Sequence, residues 1–169
     1  MRIRIAVLTL LLAINLNSVA DEASRNWDYM AITATKWHAY NHKAFEVAKE
    51  SGRPVFVLVY SDSCSWCERY EKEVLETEVI HQKLRKDFIP VAVNIKRQRA
   101  LAIQLKASVV PTTLILAPDG AKLIRFHGLA PANEIADTLE QTLTAWRQGK
   151  LPVAEDFGSE EFCCPIENR

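Results

Sequence analysis

The chain has 169 residues, enough for one domain with a core of its own. At 49% hydrophobic and 25% charged residues it has the balance of an ordinary folded domain, not of a disordered segment. Basic and acidic residues number 21 each with no long run of one sign, which argues against a nucleic-acid footprint or a polybasic membrane patch.

In chain order, the first segment is an export signal by its pattern. Arg2 and Arg4 give a positive start, Ile5 to Leu16 is almost unbroken apolar sequence, and Ser18-Val19-Ala20 ends in small residues. A secretory signal peptide over 1–20, cleaved after Ala20, is predicted. The apolar run is short beside the roughly 20 residues of a membrane span, so an uncleaved anchor is the runner-up. No cysteine follows the run and no twin-arginine pair precedes it, so a lipoprotein and export in the folded state are not expected. Such a chain meets the oxidising periplasm, where a cysteine pair is either oxidised by its surroundings or kept reduced by an electron-supplying partner.

A mixed leader, Asp21 to Ala34, holds a short strand around Met30-Ala31-Ile32. Trp37, Tyr40, Ala44, Val47 and Ala48 then recur at helical spacing, predicting an amphipathic helix over Lys36 to Glu50 that Gly52 stops. Pro54 opens the strand Val55 to Tyr60. A helix follows from Ser65 to about Leu75, and Thr77 caps another over Glu78 to Asp87. Phe88 to Ile95 is a second buried strand and Arg99 to Leu105 a short helix. Thr112 to Leu116 and Lys122 to Phe126, joined by Pro118-Asp119-Gly120, form a hairpin. The last helix, Asn133 to Arg147, sets Ile135, Leu139, Leu143 and Trp146 on one face. Strands alternating with helices imply a parallel core, to which the hairpin adds an antiparallel edge. The tail 148–169 reads as a surface extension or a disordered segment.

Chemistry concentrates at Cys64-Ser65-Trp66-Cys67, which lies where a strand gives way to a helix. Backbone N–H groups at a helix N-terminus favour thiolate over thiol, so Cys64 is the candidate nucleophile. Cys67, one turn on, shares its helix face and can close a disulfide with it. A static disulfide or half a zinc site is the plainer alternative, and no further zinc ligands stand at suitable spacing nearby.

This pattern resembles the thioredoxin superfamily. The likeness rests on strand-Cys-x-x-Cys-helix, on Val110-Pro111-Thr112 before an apolar strand, and on the hairpin, His127-Gly128 and closing helix. The stretch from Trp37 to Val55 is similar to exported thioredoxin-like proteins, including the C-terminal domain of the transmembrane thiol reductases. The resemblance runs from about Trp37 to Trp146 and implies an α/β thioredoxin fold, a central mixed sheet flanked by helices, over 21–147. It implies a thiol–disulfide oxidoreductase with Cys64 as nucleophile, Cys67 as resolving thiol and a cis-proline at Pro111. Val110 and Pro111 would then be the platform for an extended substrate, with Trp66 a substrate contact or a cap over the thiols. Protein or small-molecule thiols and disulfides would be the substrates, with no bound cofactor and a membrane redox partner. The oxidases of this superfamily carry an inserted helical domain, for which Tyr60 to Pro111 leaves no room, so reduction is the expected direction. Two positions depart from the family: Ser63 stands where tryptophan is usual, and Leu58 where a buried carboxylate often assists the second thiol. Asp62, Glu68, Glu71 or a water are the candidate substitutes.

Cys163-Cys164 in the tail is the unusual element. Neighbouring cysteines close a ring with each other only under strain, which leaves other outcomes open. They can relay electrons to or from Cys64 and Cys67, pair between molecules, bind Cu(I) together with the other two thiols, or be incidental. An accessory redox or intermolecular role is the reading preferred, and a Cu(I) carrier is the rival function. Against the carrier, methionine is scarce, with only Met1 and Met30, and no His/Met-rich tract exists. His38 and His42 lie four apart on the expected first helix but lack the glutamate of a metalloprotease pair.

Overall fold

The computed structural model describes residues 34–150, 156–158 and 163–166, all within one compact unit. In chain order these form β1 (His38–Ala39), α1 (His42–Ser51), β2 (Val55–Tyr60) and α2 (Ser65–Tyr70), which runs into a π-helical turn, Glu71–Leu75. There follow α3 (Glu78–Asp87), β3 (Ile89–Asn94), α4 (Arg99–Gln104), β4 (Val109–Val110), β5 (Thr112–Leu116), β6 (Lys122–His127) and α5 (Ala132–Arg147). The tail adds β7 (Asp156–Gly158) and β8 (Cys164–Pro165). The signal peptide and the leader strand expected at Met30-Ala31-Ile32 lie outside the described residues.

The main sheet has the order β1-β3-β2-β5-β6-β7. β1, β3 and β2 run parallel, β5 and β6 form the antiparallel hairpin, and β7 joins β6 in parallel. This is the expected α/β fold with a mixed sheet. Every residue of β2 and β3 is buried, as unbroken apolar strands between two covered faces must be. Pro90 is tolerated inside β3 because of register. The Ile89 N–H bonds back to Pro54 on the β2 side, so position 90 faces the other edge, where β1 reaches only Val91 and Ala92.

α3 spans the expected residues, although the Thr77 hydroxyl donates to the Val74 carbonyl and does not cap it. On α5, Ile135, Leu139 and Leu143 face the core, and Trp146 is half-buried.

Two expectations are corrected. The first helix starts at His42, not Lys36, because Asn41 in extended conformation caps it, accepting the Ala44 N–H at 3.2 Å. Trp37 packs on Phe56 from outside the helix, with ring centroids 6.1 Å apart, which explains the misleading apolar spacing. His38 therefore lies on β1 and shares no helix face with His42. Nor is the tail merely a surface extension, since β7 lengthens the sheet beside β6 and β8 pairs antiparallel with β4. Strands of three and two residues are too short to show a periodicity, and their pairing comes from the edges that β6 and β4 offer.

Candidate thiol–disulfide site

β2 ends at Tyr60, and the chain turns through Ser61, whose carbonyl accepts the Cys64 N–H at 3.1 Å. That turn sets Cys64 in extended conformation as the N-cap of α2. The Cys67 N–H donates to Cys64 Sγ at 3.4 Å, a bond of the kind that stabilises negative charge on sulfur. Across from the cap, the Val110–Pro111 peptide is cis, as the resemblance implied. Cys64 Sγ lies 3.5 Å from the Val110 carbonyl oxygen. The Gly128 N–H donates to the Pro111 carbonyl at 2.9 Å, tying this loop to the end of β6. Both cysteines are buried, as are Val110 and Pro111.

The disulfide is not the expected one. Cys64 is bonded to Cys164, with the Cα atoms 6.0 Å apart and a sequence separation of 100. Cys67 is a buried thiol and Cys163 a half-exposed one, both outside that disulfide. The reason is register: β8 lies along β4 with Cys164 opposite Val110, and Val110 is the residue touching Cys64. The tail cysteines are thus neither bonded to each other nor remote from the site.

Burial drives the Cys67 thiol up to about 12, and the nearby Glu71, Cys163 and Asp62 push the same way, while a backbone hydrogen bond at Ser61 opposes them. In this state Cys67 keeps its proton at neutral pH. Among the candidate substitutes for the carboxylate missing at Leu58, the surroundings separate the three acids. Glu68 is exposed and paired with Lys72 at 2.6 Å, and exposed Asp62 accepts from Asn94 at 2.9 Å. Glu71 alone is buried, at 5% exposure. Its position four residues after Cys67 sets both on one helix face, and it opens the π-helical turn, a feature that recurs at functional sites.

Trp66 is half-buried and carries the Arg69 guanidinium 4.8 Å over its ring, with Arg69 held in turn by both Glu73 oxygens. A cleft of about 580 Å³ opens beside Cys64. Its walls include Ser61, Ser63, Lys96 and Arg99 and, from the tail, Pro165 and Ile166. Among the described residues no three His, Cys, Asp or Glu side chains are grouped to hold a metal ion. His38, His42, His81 and His127 lie on four separate elements, and none of them was a candidate ligand.

Comparison with known proteins agrees with the fold. The thioredoxin-like domain family matches residues 42–143. A thioredoxin from Thermus thermophilus is similar in structure with TM-score 0.61 and 24% identity, over 68% of this chain and 91% of its own. The oxidised C-terminal domain of DsbD from Neisseria meningitidis superposes with TM-score 0.52 and 20% identity, over 59% of this chain and 90% of its own. Among curated proteins, spermatogenesis-associated protein 20 of Homo sapiens is 31% identical over 64 residues, 38% of this chain. That stretch is 8% of the human protein, so the likeness is one of a domain.

Proposed function

We propose that this chain, which belongs to the thioredoxin-like domain family, is a thiol–disulfide oxidoreductase that works in the periplasm and reduces disulfides of exported proteins. The observation that carries the reading is Cys64 itself: capping α2, receiving the Cys67 N–H, lying against Val110 of the cis-proline loop, and joined in a disulfide to Cys164. The signal-peptide pattern of residues 1–20 supports the setting.

In the reaction, Cys64 thiolate attacks one sulfur of a substrate disulfide. A mixed disulfide forms and the other substrate sulfur leaves as a thiolate, which takes up a proton. Cys67 then loses its proton to Glu71, directly or through water, and attacks Cys64 Sγ. The Cys64–Cys67 disulfide closes, and the substrate leaves with both sulfurs reduced and the enzyme oxidised by the same two electrons. A dithiol donor at the membrane restores the pair. The substrate lies extended along Val109–Val110, with Trp66 at the margin. Reduction is preferred over oxidation because only α2, α3, β3 and α4 stand between β2 and the cis-proline loop, with no inserted helical domain.

The test is the reduction potential of Cys64–Cys67 in a chain carrying Cys164→Ser, equilibrated with glutathione or dithiothreitol and followed by mass-resolved alkylation. A value near the −270 mV of thioredoxin is expected, and one approaching about −120 mV would reverse the direction proposed.

A further inference from the structure

We propose that Cys164 is a third redox-active thiol and that β8 is an internal substrate, a strand of the chain itself that fills the groove where an external disulfide substrate would lie. The proposal rests on the reading of Cys64 as the nucleophile.

Its pairing is the first argument. β8 runs antiparallel to β4, with Val110 opposite Cys164 and Val109 opposite Pro165, and the Ile166 N–H donates to the Ser108 carbonyl at 3.0 Å. That last bond makes Val109–Pro165 a non-hydrogen-bonded pair, so the missing N–H of Pro165 costs the ladder nothing. A cysteine strand is thus laid by backbone pairing beside the cis-proline, with its sulfur delivered to Cys64. The same geometry is a mixed disulfide caught before resolution. Ile166 continues the occupancy, lining both the cleft beside Cys64 and a smaller one of about 230 Å³ that includes the exposed Ile103. Two anchors hold the tail, β7 on β6 and β8 on β4.

Four cysteines, two of them joined in a disulfide, allow an exchange that needs no outside oxidant. Cys67 gives up its proton and its sulfur attacks Cys64 Sγ. The Cys64–Cys164 bond breaks, the Cys64–Cys67 bond forms, and Cys164 leaves as a thiolate that is then protonated. The number of disulfides is unchanged. In reverse, the Cys164 thiolate attacks Cys64 of the Cys64–Cys67 pair and the tail returns to the groove. Because the tail is tethered, it competes with any external substrate at an effective concentration in the millimolar range expected of an intramolecular partner. The groove therefore suits extended, cysteine-bearing polypeptide that can displace a strand, in preference to a small compact disulfide.

The experiment uses the full chain with Cys67→Ser, and with Cys67→Ala as a check on folding. Each is equilibrated with oxidised glutathione, blocked with N-ethylmaleimide and mapped by non-reducing peptide mass spectrometry. The expected product is Cys64–Cys164, at least tenfold over Cys64–glutathione. A chain carrying glutathione on Cys64 with Cys164 alkylated would overturn the proposal. In parallel, the Cys164→Ser chain should reduce insulin with dithiothreitol several-fold faster than wild type, since its groove is open, and an equal or slower rate counts against an occupying tail. If neither chain reduces insulin the oxidoreductase reading fails, while the mapping still decides the tail.

Discussion

At the scale of single residues, the second thiol is where the chemistry is controlled. Cys67 titrates at about 12 in the folded chain against an ordinary 9.0. The folded state therefore holds a proton that the unfolded state releases between those values, and stability falls as pH rises through that window. Three units at about 1.4 kcal/mol each set an upper bound of about 4 kcal/mol. Urea midpoints measured from pH 8 to 11 should fall more steeply for wild type than for Cys67→Ala, and parallel curves would remove Cys67 from the account. A thiol so reluctant needs a base, and Glu71 is the buried carboxylate whose charge acts on it. Glu71→Gln should slow closure of Cys64–Cys67 from a mixed disulfide on the order of 10- to 100-fold at pH 7. The deficit should shrink at high pH, where hydroxide removes the proton, and stopped-flow rates across pH would show a constant deficit if Glu71 only packs. The sequence named Glu71 among several candidates. It did not rank them, because ranking needed burial, and burial depends on how α2 and its π-helical turn pack on the sheet.

At the scale of elements, legibility followed length and composition. β2 and α3 were readable to the residue, the first as an apolar run after Pro54, the second between Thr77 and Phe88. α1 was misread at its start because Trp37 and Tyr40 fall at helical spacing while packing from outside the helix. β7 was invisible for another reason, since its place depends on β6. Gly158 shows how closely the two approach: its φ is +129°, and a Cβ there would meet the His127 carbonyl oxygen at 2.1 Å. That oxygen is backbone and cannot swing aside. Gly158→Ala should therefore lift β7 from β6, read as faster hydrogen exchange at Arg125 to His127, while β2–β3 protection stays as in wild type. Unchanged exchange at β6 would mean that the tail strand adjusts without leaving.

At the scale of the whole molecule, the sequence placed the four cysteines but not their bonding, because nothing local says which strand edge a tail will find. Which bond forms sets the size of the loop it closes. Cys64–Cys164 closes a loop of 100 residues, whereas Cys64–Cys67 closes one of only three steps. In the chain-entropy view a disulfide constrains the unfolded state more as its loop grows, about 4.7 kcal/mol for 100 residues and roughly 1.6 for the short loop. The exchange proposed above would then move the protein between a more and a less stable form without changing its number of disulfides. Cys67→Ala, confined to Cys64–Cys164, should thus unfold at higher urea than Cys164→Ser, confined to Cys64–Cys67, by an amount on the order of 3 kcal/mol. Both should be compared oxidised, with the linkage verified by mass, and then again after full reduction, where the gap should close. A gap that survives reduction would assign the difference to packing of the substituted side chains. A gap that closes would assign it to the loops that the two disulfides close in the unfolded chain, so that exchange at Cys64 changes how readily the whole molecule unfolds.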